Sequence, residues 1–489
     1  MREGIPKAET VNLTSANNTV TVTNNINTSA TTGQGNNITV SAPLQIAQPT
    51  ITFNTTGSTG SGNIIFNNTI NGITPGSNTL ILQAGNINFN DSVGNLIPLN
   101  SLNITGGNIN SIAPINLANS GLTINARGDV NLANILTTDN GIINILATGN
   151  ITTRDMTTAG GNITLESSNN IDTTAGILNS LSTATTGGSV NLTATNTINT
   201  GTIITGGETI NLTSTNGAIN TQAGILNSSA SDNNGGNQTL NASGTITLGD
   251  INTSTASNSN NSQAGTLDIS SGNNTINLTG DINTSATQGQ GSDVNFNANV
   301  ILPEPNIIIN TKGDNTSGNV TFNGTINGGI DSNAGSNSLT LETGTGDTTF
   351  NQSIGDNVPL QNLTINSGNV ITQSPVNVEN GGININATQN VNLGDTITTD
   401  NNSPVNVVAT GEITTANIIS NGSRIALTSN TGNINTASGI LNSSFYHRRR
   451  GRNQPKCGPK FNYRRSKYPH RIQFRNQSSG SPNPRRKYN

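Results

Sequence analysis

Ser189-Val-Asn-Leu-Thr-Ala-Thr195, with Ile198-Asn-Thr200 and Ile203-Ile204 behind it, is answered by Thr209-Ile-Asn-Leu-Thr-Ser-Thr215, then Ile219-Asn-Thr221 and Ile225-Leu226. Matching landmarks lie 20 residues apart for Val190 and Ile210, 21 for Ile198 and Ile219, and 22 for Ile203 and Ile225. Apolar residues alternate with Asn or Thr, the period of a strand with one buried face. Gly-Gly, Asn-Gly and Thr-Gly pairs punctuate the segments as turns. Strands of three to six residues, three per turn of about 20, are too short for a sandwich. Stacked as coils of a parallel β-helix, they bury a narrow stripe of Val, Ile, Leu and Ala.

Composition agrees. Of 489 residues, 30% are hydrophobic, 3% aromatic and 9% charged, with 55 glycines and no Trp. That is too little bulk for thick globular cores, yet too regular and too weakly charged for disorder. The expected fold class is all-β, a parallel β-helix (solenoid) with coils of about 20 residues, which gives roughly 22 coils spaced about 4.8 Å apart. Like residues then stack on like, so outward Thr packs in columns and turn Asn ladders its amide to the next coil. Pro43–Pro49 and Pro303–Pro305 are expected as loops or irregular coils, since Pro donates nothing to a ladder.

A longer repeat encloses the short one. Val11-Asn-Leu-Thr-Ser-Ala-Asn-Asn-Thr-Val20 returns as Leu267-Asp-Ile-Ser-Ser-Gly-Asn-Asn-Thr-Ile276, displaced by 256 positions. The pairing runs on through Thr69-Ile-Asn-Gly72 and Thr325-Ile-Asn-Gly328, then at an offset of 261 through Pro114 and Pro375. The expected organisation is a disordered start (1–10), a first module (11–266), a second, incomplete module (267–444) and a disordered basic tail (445–489).

Gly-Ile-Leu-Asn-Ser occurs three times, at Gly176–Ser180, Gly224–Ser228 and Gly439–Ser443. The first two copies lead to Gly-Gly and another strand pattern, whereas the third leads into Phe445-Tyr-His-Arg-Arg-Arg-Gly-Arg452. Before Phe445 stand six basic residues and all 24 acidic ones; after it come fourteen basic residues, both His and the lone Cys457. Taken literally the tail is a basic arm with the profile of a nucleic-acid binder. Read one nucleotide later, the codons open to Phe461–His470 permit Leu-Thr-Thr-Glu-Gly-Ala-Asn-Ile-Leu-Thr. Those open to His447–Arg452 permit Thr, Gly and small residues, as after the first Gly-Ile-Leu-Asn-Ser. A frameshift near Ser444 is the expected explanation, and with it no nucleic-acid partner.

Ser92-Val-Gly-Asn-Leu-Ile-Pro-Leu-Asn-Ser-Leu-Asn-Ile104 is echoed by Ser353-Ile-Gly-Asp-Asn-Val-Pro-Leu-Gln-Asn-Leu-Thr-Ile365. This Gly followed by Pro-Leu-x-x-Leu-x-Ile resembles a signature of filamentous-haemagglutinin-like proteins, the two-partner-secreted surface adhesins of Gram-negative bacteria and cyanobacteria. The resemblance spans Val11 to Ser444. It implies a right-handed β-helical shaft, extracellular or at the cell surface, that contacts a host or neighbouring-cell surface with carbohydrate among the candidate ligands. It also implies an outer-membrane secretion partner for the full-length parent. The start, Met-Arg-Glu-Gly-Ile-Pro-Lys, has no apolar core of a signal peptide, and the pattern is already mid-array at Val11. The chain therefore reads as an internal piece of a longer protein.

No His or Cys precedes residue 447, which removes Ser-His-acid triads, Cys nucleophiles and Cys/His zinc sites from the body. Phosphate loops and serial calcium repeats are missing too. The expectation is no enzyme, no catalytic residue, no cofactor, no metal and no transmembrane segment. One candidate receptor-binding turn stands out, Arg127-Gly-Asp129, just before Val130-Asn-Leu132. Three rivals to an adhesive shaft remain open. A polysaccharide-binding or polysaccharide-acting β-helix needs an acidic groove, and an outer-membrane barrel needs aromatic girdles. An ice-binding array needs Thr-x-Thr in one register over many coils.

Overall fold

A computed structural model describes residues 9–16, 18–182, 187–329, 335–400, 402–444 and 473–476. Every strand pairing recorded for it is parallel, and the described residues coil as a β-solenoid within each of two units, about 18 coils in all. The expected disordered start and basic tail lie almost wholly outside the described residues. Of the tail only Gln473–Asn476 is described, as a strand parallel to Ile425–Ser429. The chain divides into two compact units, Met1–Gly291 and Ser292–Asn489. That division falls one coil after the start of the second sequence module at Leu267.

In the first unit each coil contributes to three ladders. One climbs from Val11 through Ile38, Ile64 and Ile87 to Ile219, Ile246 and Ile276. A second climbs from Val20 through Leu44 and Ile70 to Leu226, Ile251 and Ile282. The third runs from Phe53 and Ile51 through Leu80 and Leu102 to Ile210, Gln238 and Leu267. The second unit repeats the plan with ladders through Val294 and Val320, Val300 and Ile326, and Ile307 and Leu339. Three-residue strands such as Ile38–Val40 and Ile87–Phe89 bury both outer residues and turn the middle one outward, as the alternation requires.

Coils average about 23 residues rather than 20. They take 20 residues between Ile151 and Ile171 but 32 between Ile307 and Leu339, because corner loops lengthen while strands do not. The Pro43–Pro49 segment is also more regular than expected. Leu44–Ile46 is a strand paired on both sides, and Pro43 precedes it, needing no N–H while its carbonyl accepts from Val20 N at 2.8 Å.

Inside, like stacks on like. In the first unit Phe66 lies between Phe53 and Phe89, with ring centroids 5.8 and 5.4 Å away; in the second, Phe322 lies between Phe296 and Phe350 at 4.7 and 5.3 Å. All six rings are buried.

The long repeat is not a plain translation along the stack. Leu267, Ile276 and Ile282 are the sequence counterparts of Val11, Val20 and Ile26. Val11 begins the first ladder, but Leu267 sits on the third; Val20 begins the second, but Ile276 sits on the first. Ile282, likewise, sits on the second ladder, whereas Ile26 pairs on the third. The module therefore recurs one ladder over, because 256 residues of unequal coils do not make a whole number of turns.

The Gly-Ile-Leu-Asn-Ser landmark is a corner device. Leu178 and Leu226 fill the second ladder, and Asn179 and Asn227 accept with Oδ1 from Leu181 N and Ser229 N, each at 3.0 Å. Ser228 is fully buried and donates its hydroxyl to Gly236 O at 2.6 Å, while Gly236 N returns a bond to Ser228 O at 2.8 Å. Ser180 and Gly188 close a neck in the same way, as do Thr55 with Gly62 and, in the second unit, Thr311 with Gly318. No side chain fits at Gly236, whose Cβ would stand 2.0 Å from Glu208 O of the coil below. In the third copy Asn442 makes the same turn, accepting from Ser444 N at 2.9 Å; the residues that would close its neck lie outside those described.

Candidate functional site

The outer surface is built from the same ladders. At the corner entering the first ladder, Oδ1 of Asn63 accepts from Asn86 N at 2.8 Å, Asn86 from Asn108 N at 2.9 Å and Asn108 from Asp129 N at 2.9 Å. Asp129 then accepts from Asn150 N at 2.7 Å. The second unit has its own version through Asp293, Asn319, Asp347 and Asn369. Each oxygen satisfies an N–H that the corner turns away from the sheet, so the polar surface is also structural.

This ladder accounts for the Arg-Gly-Asp turn. Asp129 takes the place that Asn holds in neighbouring coils, and a Cβ on Gly128 would stand 2.1 Å from Asn108 Oδ1. Arg127 is exposed, with Nη2 3.5 Å from Ala84 O. The three residues stay at the surface, but one carboxylate oxygen of Asp129 is committed to stacking.

Two rivals are corrected by the geometry. The apolar side of every ladder faces inward and all pairing is parallel, the reverse of a lipid-facing antiparallel barrel. Outward pairs on the third ladder read Asn144/Leu146, Thr164/Glu166, Asn191/Thr193 and Thr239/Asn241 in successive or near coils, so no Thr-x-Thr register persists. Among the described residues no helix is long and apolar enough to cross a membrane, and no three His, Cys, Asp or Glu side chains gather as metal ligands.

The first unit departs from a smooth ladder at one corner. Loops 205–209, 228–237 and 253–266 are long, and between them lies a cleft of about 420 Å³ lined by Gly207, Glu208, Asp232, Asn233, Asn234, Ser257, Ser259, Asn261 and Ser262. A second hollow of about 350 Å³ adjoins it beside Gly235, Gly236 and Gln263. Ser257 and Ser262 are each only 4% exposed, and they form its floor. Ser262 Oγ lies 2.7 Å from Ser259 O and 2.8 Å from Gln288 O, and Asn234 Oδ1 accepts from Gln263 N at 2.9 Å. Such a lining offers hydroxyls, amides and two carboxylates to a polar ligand. None of the lining residues is aromatic, so a ligand there would meet hydrogen-bonding groups rather than rings. The sequence held one clue, the polar run Ser231-Asp-Asn-Asn-Gly-Gly236, but nothing local joins it to Glu208 or Ser257. No family model matches the chain, and comparison with curated proteins and with solved structures finds no match.

Proposed function

We propose that this chain is a structural and adhesive repeat shaft of a filamentous-haemagglutinin-like surface protein, acting outside the cell through its repetitive outer face. The observation that carries this reading is the in-register stacking of corner Asn and Asp on parallel ladders, from Asn63 to Asn150 in the first unit and from Asp293 to Asn369 in the second. Such an array repeats one weak polar contact many times at fixed spacing, and repetition multiplies avidity without a single strong site. A host or neighbouring-cell surface is the partner, and an outer-membrane secretion pore delivers the full-length parent. The test is retention of the purified full chain on cultured cell layers and on printed neutral and acidic oligosaccharides under flow. Retention that rises steeply with protein density supports the adhesive shaft; no retention on any of these surfaces removes it.

The cleft favours a second reading, a polysaccharide-binding β-helix. Glu208 and Asp232 on its rim are the residues that would hold sugar hydroxyls. Glu208→Gln with Asp232→Asn separates the two: binding lost in the double variant belongs to the cleft, and binding retained belongs to the distributed face.

A further inference from the structure

We infer that Asn140–Gly141 is a site of self-modification, at which the chain converts asparagine to aspartate and isoaspartate while folded. The chain has eight Asn-Gly bonds, beginning at Asn71, Asn140, Asn216, Asn234, Asn323, Asn327, Asn380 and Asn421. The reaction needs the glycine amide nitrogen free to attack and the asparagine side chain free to swing onto it.

The fold removes one or both freedoms at seven of them. Gly72 N donates to Ile97 O at 3.0 Å, Gly235 N to Gln263 O at 2.9 Å and Gly328 N to Val358 O at 3.0 Å. Gly217 N donates to Ser214 Oγ at 3.1 Å and Gly381 N to Ser403 Oγ at 3.0 Å. Gly324 and Gly422 have no amide partner among the described residues, but the side chains before them are held. Asn323 bonds Asn297 below at 2.8 Å and Asn351 above at 2.7 Å, and Asn421 Nδ2 donates to Thr399 O at 2.9 Å.

Asn140 differs on both counts. It is exposed at the corner after Leu136–Thr138, with φ +60°, and neither its amide group nor Gly141 N has a hydrogen-bond partner among the described residues. The chemistry balances without oxidant or cofactor. A base takes the Gly141 amide proton, the nitrogen attacks Asn140 Cγ, and the Cγ–Nδ2 bond breaks to release ammonia. Water then opens the cyclic imide at either carbonyl, leaving aspartate or, with the main chain rerouted through Cγ, isoaspartate. The second product inserts a methylene beside Gly141, whose carbonyl accepts the Thr138 hydroxyl that closes this corner. It also adds a carboxylate next to Asp139.

The inference is independent of the adhesive reading. The test is incubation of the folded full chain in mildly alkaline buffer, with peptide mass spectrometry that separates aspartate from isoaspartate, beside the same chain in urea. Breaking a glycine N–H bond before attack slows reaction at least about fivefold. Asn140 is therefore expected to lead the five tied sites by that factor in the folded chain, and the lead is expected to collapse in urea. Asn140→Ser assigns the signal by removing it. Equal folded-state rates at Asn140 and Asn71, or a ranking that survives in urea, overturn the inference.

Discussion

Replacing Phe66 by Ala probes the claim that inward stacking holds the coils together. Phe66 is fully buried between Phe53 and Phe89, with one neighbour tilted by 40° and the other nearly parallel at 8°. Removing a buried Phe costs about 3–5 kcal/mol. Two ring neighbours, each contributing about 0.5–1.5 kcal/mol beyond area, place this site toward the top of that range. A loss of about 4 kcal/mol corresponds to roughly a thousandfold rise in local opening, since about 1.4 kcal/mol is a factor of ten. Solenoid stability is a sum of coil and nearest-neighbour terms, so the loss should concentrate in the strands Thr50–Asn54, Ile64–Phe66 and Ile87–Phe89. Peptide-resolved hydrogen exchange is the suitable assay, because a long array does not unfold in one step. Phe66→Leu, which keeps most of the volume, should recover well over half of the protection. A change below tenfold at these strands, or one spread evenly over the first unit, would refute the stacking argument.

Further substitutions separate the remaining contributions. Ser228→Ala removes the neck bond to Gly236 O and a second one from Gln238 Nε2 at 3.0 Å. It should cost about 1–3 kcal/mol and expose loop 229–235 to limited proteolysis, with Ser228→Thr restoring resistance. Gly236→Ala should be worse than Ser228→Ala, since the new methyl has no space against Glu208 O, and circular dichroism melting would rank the two. Asn108→Asp should leave thermal stability nearly unchanged because Asp129 already serves one coil on, whereas Asn108→Leu should cost about 1 kcal/mol for the orphaned Asp129 N–H. Lys312→Ala removes an ion pair with Glu342 whose lysine side chain is 51% exposed, and should shift denaturant stability by under about 1 kcal/mol.

Much of this was legible in the residues. Alternation in Val190–Ala194 and Ile210–Ser214 dictated three-residue buried faces, and their parallel pairing follows residue by residue. The Asn ladders were also foreseeable, since a turn amide repeated at coil spacing has a ready acceptor above it. The Pro43 segment is more regular than its prolines suggest, because a missing N–H disqualifies a residue inside a ladder but not immediately before a strand. Of the acidic cleft only the polar run Ser231–Gly236 was legible: Glu208, Asp232 and Ser257 stand on different coils, and only stacking joins them.

Period-two alternation is a local property, so the sequence by itself determined an all-β stack of coils with apolar residues inside and amides outside. Which ladder a strand joins depends on the summed length of every corner loop before it, and those loops vary from coil to coil. That sum carries Leu267 onto the ladder of Gln238 and Ile210 rather than that of Val11 and Ile38. Only the tertiary structure decided it, because hydrogen bonds between coils, not residues within one, set the register.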